Sequence, residues 1–284
     1  MSNRSMRGFK DRLALVLGAL CVLLAMVPLL SILFDVVVRG GPALSLEFLT
    51  SPPGVIGQPG GGISNSIEGT LILVGLACII GLPLGLLSGV FLAEFGDNQY
   101  GRVIRFLNDV FSEFPSIVVG ILAYTLVVVP LGSFSTIAGA FALSIIMLPI
   151  VTRATEESLK LVPNSLRDAA MALGIRKWRA TFSVVMSTGR GGVVTGVLLA
   201  LARISGETAP LILTVLGSSL FFSGLGHPVD ALPLRIWRLA LLPYPYAQQQ
   251  GWGAALVLIL VVLTLNIGVR LATRGRFRSI GSQL

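Results

Sequence analysis

The chain has 284 residues, of which 54% are hydrophobic and only 12% are charged, with a formal net charge of +8 and a mean hydropathy of +0.88. A soluble domain carries about 25% charged residues, and the apolar runs here are continuous and near the roughly 20 residues that cross a bilayer, which excludes soluble domains and alternating β-barrel strands. The basic residues lie at the ends of these runs, so the positive charge indicates membrane orientation and no nucleic-acid partner.

An all-α polytopic membrane protein with six transmembrane helices is therefore predicted. The predicted spans are residues 13–38, 67–93, 106–129, 134–151, 189–217 and 252–271. The first run has an alternative interpretation as a cleaved signal peptide. It is too long for one, and Val36-Val37-Val38-Arg39 offers no small-residue cleavage site.

The distribution of Lys and Arg predicts the orientation of the spans. The segments that we assign to the outside carry few basic residues and are residues 39–66, 130–135 and 218–250. The remaining loops and both chain ends are basic, which places them in the cytoplasm. We expect cytoplasmic tails at residues 1–12 and 274–284, and a membrane permease domain at residues 13–273 that includes a cytoplasmic loop at residues 153–187.

Two spans carry sequence features that bear on helix packing. Gly81, Gly85 and Gly89 recur every four residues in the second span, and small residues at this spacing let another helix backbone approach closely. The alternative is that glycine is simply frequent in membrane helices. In the third span, Pro115 follows Glu113-Phe114 and predicts an irregular helix near its start.

The loop at residues 153–187 is the most polar part of the chain and contains nine of its 34 charged residues. Ser165 and Asp168 have the spacing of a capping box, Ala169 and Ala170 favour a helix, and Gly174 suits a left-handed helix end. A helix of about nine residues is predicted there. It either lies in a groove of another protein or is an ordinary loop helix without a partner.

The fifth predicted span contains a charged pair at membrane depth. Arg203 and Glu207 are four residues apart and share one helix face, and intramembrane charges pair with each other or line a cavity. Gly206 and Pro210 predict a locally opened helix. The functional hypothesis is an anion pathway in which Arg203 meets an oxyanion and Glu207 holds it in the resting state, with Ser205 and Thr208 beside them. The alternative is a structural ion pair.

Other kinds of site find little support in the sequence. His227 is the sole histidine and lies in a predicted loop, so it is interpreted as a surface residue. The sequence contains no GxxxxGK[ST] motif and no metal-ligand cluster. We expect no cofactor, no metal and no catalytic residue.

Asp168-Ala169-Ala170, followed after three residues by Gly174, resembles the EAA signature of ABC importer permeases. In that family this cytoplasmic helix docks into a cleft of the ATP-binding subunit, which the resemblance implies for Ser165, Asp168, Ala169, Ala170 and Gly174. Asp168 replaces the family's glutamate and keeps its charge. Residues 184–187 lack the family's proline, which affects the expected geometry after the helix.

Residues 201–210, LARISGETAP, are similar to the ARxxGETAPL motif of phosphate importer permeases, and residues 114–120 are similar to their PSIVxG segment. The C-terminal part, residues 231–256, is similar to the A-type subunit of those importers rather than its C-type partner. The resemblance implies the type I ABC importer permease fold in a bacterial inner membrane. It also implies phosphate as cargo, a second homologous permease subunit, two ATP-binding subunits that hydrolyse ATP, and an extracytoplasmic phosphate-binding protein.

Besides a membrane-bound sensor scaffold, two other functions remain open at this point. One is a permease of the same family for another oxyanion, such as sulfate or molybdate. The other is an ATP-independent channel or secondary transporter, against which we find no second copy of the residue 203–210 pattern in the first half of the chain.

Overall fold

A computed structural model describes residues 2–55 and 58–274 of the chain. These residues are mostly helical and contain no β-strand. The α-helices are α1 (Ser2–Gly40), α2 (Leu46–Thr50), α3 (Ser64–Phe95), α4 (Gln99–Glu113), α5 (Ser116–Ala123), α6 (Val129–Leu131), α7 (Thr136–Lys160), α8 (Asn164–Ala172), α9 (Lys177–Ala180), α10 (Met186–Ser205), α11 (Ala209–Thr214), α12 (Leu232–Ala240) and α13 (Pro245–Arg274). Two π-helical turns, Tyr124–Val128 and Thr181–Val185, join α5 to α6 and α9 to α10.

Five helices within the described residues are long and apolar enough to cross a membrane. They span Arg12–Ala43, Ser64–Phe95, Thr136–Lys160, Lys177–Ser205 and Pro245–Leu271. A sixth span is obtained when α4 and the α5–α6 segment are counted as one bent span. The prediction of an all-α membrane protein with six spans is therefore confirmed, with differences at the boundaries.

The third span differs most from its prediction at residues 106–129. The chain bends by 106° between α4 and the α5–α6 segment, at Phe114, which has extended backbone angles, and Pro115. Proline disfavours a helical conformation in the residue before it, so the helix ends at Glu113 and a new one starts at Ser116. Residues 106–113 therefore lie in the amphipathic helix α4, before the bend, and are not continuous with the α5–α6 segment.

Helix α4 is fixed against the ends of α3 and α7 by one arginine. The Arg105 guanidinium donates to the Glu156 carboxylate (Nε–Oε1, 2.8 Å) and to the carbonyls of Leu92 and Gly96 at 3.0 and 3.1 Å. The helix begins at Asn98, whose side chain accepts from the Gly101 amide at 2.9 Å. These contacts hold α4 in its bent orientation, at 106° to the α5–α6 segment.

The fifth span begins earlier and ends earlier than the predicted residues 189–217. A continuous helix runs over Lys177–Ser205, and it ends where Gly206 interrupts it. The predicted outside loop at residues 218–250 was also wrong in part, because it contains α12, whose Leu232 and Leu234 are fully buried. Helix α12 has only nine residues and carries two arginines, so it is not recognisable in the sequence as an apolar run.

The structure does not test the two predicted cytoplasmic tails, which remain predictions. From Ser2 onwards, residues 1–12 belong to α1. Residue Arg274 ends α13, and residues 275–284 lie outside the described part of the chain, so the prediction of a cytoplasmic tail there remains a prediction.

The core of the bundle is the contact between α3 and α7. The structure places Gly81, Gly85 and Gly89 on the α3 face that packs against α7, where all three are buried. A Cβ atom at Gly85 would lie 2.8 Å from the Val151 Cβ, and one at Gly89 would lie 2.5 Å from the Thr155 Cβ. The absence of side chains at these positions is what lets the two backbones approach.

We expect Gly89→Ala to destabilise the folded chain by about 1–3 kcal/mol, the usual range for overpacking a core. Gly75→Ala is the matched control, because it lies on the same helix and a Cβ there would meet nothing within 4 Å. The measurement is thermal unfolding of both variants in detergent. Equal midpoints for the two variants would contradict close packing at Gly89.

The bundle has two ends, which we call the α8 end and the α12 end. At the α8 end, Lys177 at the start of α9 donates to the Glu94 carbonyl at the end of α3 (2.8 Å). At the α12 end, the amides of Ser135 and Thr136 at the start of α7 donate to the carbonyls of Thr214 and His227 at 3.1 and 2.9 Å. The helices α3, α7 and α10 connect the two ends.

Candidate functional site

The helix break predicted around Gly206 is present. Helix α10 ends at Ser205, the Gly206 amide donates to the Arg203 carbonyl at 3.1 Å, and α11 begins at Ala209 with Pro210 in its first turn. Proline fits at this position because the first amides of a helix have no intrahelical acceptor. The chain therefore changes direction between two helices at the residues that carry the charged pair.

The structure brings Arg203 and Glu207 together, with 3.3 Å between Nη2 and Oε1. Their surroundings differ strongly: the Arg203 side chain is 59% exposed and the Glu207 side chain only 13%. Glu207 is thus held within the protein, while most of the Arg203 guanidinium is open to the space beside α10. A second anion has access to the arginine but not to the glutamate.

Arg203 lines a cavity of about 390 Å³ between the α4–α5 break, α7 and α10. The lining residues are Phe111, Ser112, Phe114, Ser116, Val119, Ile146, Pro149, Ile150, Leu199 and Arg203. Arg203 is the one charged residue among them. Because Pro149 is near the middle of α7, this cation lies about halfway through the bundle, where a charge is costly without a partner.

Ser205 and Thr208 are not brought into this cavity lining. Ser205 is buried and its hydroxyl donates to the Leu201 carbonyl at 2.7 Å. Thr208 precedes α11, and its carbonyl accepts from the amides of Leu211 and Ile212, both at 3.1 Å. Both residues therefore support the helix break through local hydrogen bonds.

Helix α8 covers nine residues, Asn164–Ala172, as expected, but its first turn differs from the prediction. Pro163 occupies the N-cap position, and no side chain caps the helix. The predicted capping box of Ser165 and Asp168 is wrong, because Ser165 already lies inside the helix. The other end matches the prediction: Gly174 has φ +79°, and its amide donates to the Met171 carbonyl at 2.9 Å.

One face of α8 is open and the opposite face is packed. Asp168 and Ala169 are exposed, whereas Ala170 is buried against the bundle. Leu173, just after the helix, is 82% exposed, and Trp178 is exposed nearby. The α8 end thus presents small and apolar side chains to whatever lies beyond it.

Sequence reasoning missed the anchor of α8. The Arg167 guanidinium contacts the Glu94 carboxylate (Nη2–Oε1, 2.7 Å) and donates to the Leu159 carbonyl at 2.7 Å. The Glu94 side chain is only 4% exposed and that of Arg167 17%. The two residues are separated by most of the third and fourth spans in sequence, so no spacing pattern reveals this link between α8, α3 and α7.

A second buried charge cluster was also missed, at the α12 end. Asp230 is fully buried, accepts from the Ser66 hydroxyl at 2.7 Å and pairs with Arg238. Burial raises the pKa of Asp230, while the positive charge of Arg238 and the Ser66 hydrogen bond oppose that rise. In the sequence these residues fall in a stretch that resembles an ordinary loop. His227, in the same stretch, is exposed as predicted.

The model of the family described as "Binding-protein-dependent transport system inner membrane component" matches residues 81–275. The phosphate transport system permease protein PstA of Yersinia pestis is 42% identical over 85% of this chain and 82% of its own length. The protein of the same name in Pasteurella multocida is 43% identical over 84% and 85%. A probable PstA of Methanocaldococcus jannaschii is 36% identical over 86% of both chains.

Solved structures with a similar fold are more distant in sequence. An inward-facing MetNI methionine ABC transporter chain gives a TM-score of 0.58 at 17% identity and covers 75% of this chain and 94% of its own. A chain of a bacterial ABC transporter for the import of alginate gives 0.59 at 15% identity, over 94% and 98%. The helical arrangement described above is thus that of ABC importer membrane subunits.

Proposed function

The chain belongs to the family of binding-protein-dependent transport system inner membrane components, and from this premise we propose that it is the A-type permease subunit of a phosphate importer. The observation that carries the proposal is the sequence identity of more than 40%, over most of the chain, with phosphate transport system permease proteins. It is supported by a single cation, Arg203, in a mid-bundle cavity. Phosphate is an oxyanion, and a guanidinium is the side chain best suited to hold one.

The subunit works within an assembly. A second, homologous permease completes the path across the membrane, two ATP-binding subunits supply energy, and an extracytoplasmic binding protein delivers phosphate. Hydrolysis of ATP takes place on the ATP-binding partners, so this chain is a transporter component and not itself an enzyme. The α8 end faces the cytoplasm in this arrangement, where its exposed Ala169 and Leu173 contact an ATP-binding subunit.

Arg167 transmits the motion of the ATP-binding subunits. When these subunits close, they move α8, and Arg167 ties that helix to the end of α3 through Glu94 and to the end of α7 through the Leu159 carbonyl. The two helices also pack on each other along their glycine face. A push on α8 therefore moves α3 and α7 as a unit, which is the rigid-body change that switches the open side of the path.

Arg203 binds phosphate during that conformational change. In the empty subunit Glu207 neutralises it at 3.3 Å. Phosphate entering the cavity competes with Glu207 for the guanidinium, so the net binding energy is a difference between two anions. We expect weak binding at this point, which lets phosphate leave once the path opens on the other side.

Uptake of radiolabelled phosphate by vesicles that hold the complete complex tests the proposal. We expect uptake to require both ATP and the binding protein, and to be unaffected by an excess of sulfate or molybdate. Uptake without ATP would instead indicate a channel or secondary transporter. Competition by sulfate or molybdate at equal concentration would indicate a permease for another oxyanion.

A further inference from the structure

A second cavity, of about 380 Å³, lies at the α12 end and shares no lining residue with the Arg203 cavity. Arg235 and Arg238 of α12 line it, together with Ser219 and with Tyr246 and Gln250 of α13. Its distance from Arg203 follows from α7, which starts at the α12 end. Pro149, which lines the Arg203 cavity, is about 20 Å further along that helix at a rise of about 1.5 Å per residue.

The charges around this cavity do not balance. Asp230 accepts from Ser66 through one carboxylate oxygen and pairs with Arg238 through the other. Among the residues that the structure describes, no carboxylate lies within ion-pairing distance of the Arg235 guanidinium. One carboxylate therefore faces two guanidinium groups, and the cluster keeps an excess positive charge.

Arg235 is also poorly solvated for a cation. Its Nε is buried and has no hydrogen-bond partner within the described chain, and the same is true of the Nε of Arg238. Burial lowers the pKa of Arg235, although the nearby Asp230 opposes this. A buried cation without a full counterion is costly, and an anion bound in the cavity would remove that cost.

The remaining polar groups of the lining are suited to donate. The Tyr246 hydroxyl accepts from the Gly60 amide at 2.9 Å, which leaves its own O–H free to donate into the cavity. The Ser219 hydroxyl is a further donor, while the rest of the lining includes the apolar side chains of Leu239, Leu242 and Ala247. Donors and cations without an unpaired carboxylate favour an oxyanion over a cation or a neutral sugar.

We propose that the Arg235 cavity is a second oxyanion site, which holds free phosphate at the α12 end before it reaches Arg203. The identity of the anion as phosphate rests on the proposed function, whereas the existence of an anion site rests on Arg235 and its surroundings. A cation at the entrance raises the local concentration of anions. The subunit thus has two arginine sites in series, which are separated by about half the thickness of a membrane.

Trp237 provides a binding signal that does not depend on transport, because this residue is part of the lining of the same cavity. The complete complex is labelled with 5-fluorotryptophan, placed in lipid nanodiscs and titrated with inorganic phosphate, with the Trp237 resonance identified from Trp237→Phe. We expect a saturable shift of this resonance. Arg235→Gln is expected to weaken the apparent affinity at least tenfold, since it removes charge-assisted hydrogen bonds.

Arg39→Gln is the matched control. Arg39 lies near the same end, pairs with Asp35 at 3.2 Å and contacts the Trp252 ring, but it does not line this cavity. Its titration should equal that of the wild type. An unresponsive Trp237 resonance, or equal affinities for Arg235→Gln and the wild type, would overturn the proposal.

Two further arms separate this site from its alternatives. A response in phospholipid-free detergent but not in nanodiscs would mean that a lipid headgroup occupies the cavity, and would overturn a site for free phosphate. Arg203→Gln should lower uptake roughly 10- to 100-fold yet leave the Trp237 titration unchanged. If the complex transports sulfate instead of phosphate, we expect sulfate to shift the Trp237 resonance. In that case the proposed cargo would be wrong, while the anion site would stand.

Discussion

Phosphate uptake by the complete complex is expected to fall roughly 10- to 100-fold when Arg203 is replaced by Gln, while the complex still assembles and hydrolyses ATP. The estimate corresponds to the loss of hydrogen bonds to a charged group. Arg203 is the one charged residue of its cavity lining, and its guanidinium is mostly open to that space. Glutamine keeps hydrogen-bonding capacity but provides no charge to hold an oxyanion. The measurement is the initial rate of radiolabelled phosphate uptake, with ATPase activity recorded in the same vesicles.

The double variant Arg203→Gln/Glu207→Gln distinguishes a transport role from a structural one. The single substitution leaves Glu207 unpaired in a site where its side chain is only 13% exposed, which alone could disturb the fold. The double variant removes that unpaired charge. If Arg203 contacts phosphate, uptake stays low in the double variant. Recovery of uptake, or normal uptake in the single variant, would show that the pair only connects parts of the protein.

Replacing Arg167 with Gln is expected to uncouple ATP hydrolysis from uptake. The substitution removes the contact to Glu94 and the hydrogen bond to the Leu159 carbonyl, which are the Arg167 contacts that hold α8 to the ends of α3 and α7. We expect at least a tenfold drop in phosphate transported per ATP hydrolysed. Because Glu94 is nearly fully buried and would be left unpaired, Arg167→Gln is also combined with Glu94→Gln.

Arg176→Gln is the control for the loss of a positive charge at the α8 end. The Arg176 side chain is exposed, and no hydrogen bond or ion pair joins it to another described residue. Its ratio of phosphate to ATP should equal that of the wild type. If Arg167→Gln/Glu94→Gln lowers thermal stability but transports as much phosphate per ATP as the control, Arg167 stabilises α8 without transmitting motion.

Local sequence features predicted the helix break in the fifth span but only part of the one in the third. The break comprises three residues, 206–208, which begin with Gly206 directly after α10 and precede α11, whose first turn contains Pro210. Pro115 predicted an irregularity, but the 106° bend depends on contacts from elsewhere in the chain, such as Arg105 with Glu156. A proline indicates where a helix ends, but it does not determine the direction of the next helix.

Features that depend on residues far apart in sequence were not predictable. Glu94 and Arg167 are separated by two spans, and Asp230 meets Ser66 across most of the chain. Helix α12 is difficult to predict because it is short, and its burial becomes apparent only when Leu232 and Leu234 are seen to pack in the core. The capping-box prediction failed for a local reason, since Pro163 starts the helix before Ser165 is reached.

The Arg203–Glu207 pair has a consequence for the electrical work of transport. The two opposite charges lie 3.3 Å apart near the middle of the bundle, so the pair carries no net charge and a conformational change of the empty subunit would move no net charge of this pair through the membrane potential. With phosphate bound to Arg203 as proposed, the site would carry the charge of the phosphate, and moving one negative charge into a cell with a negative interior costs about 2.3 kcal/mol per 100 mV. In the proposed mechanism the membrane potential would therefore oppose only the step that carries phosphate inward, which is the step that ATP is proposed to drive.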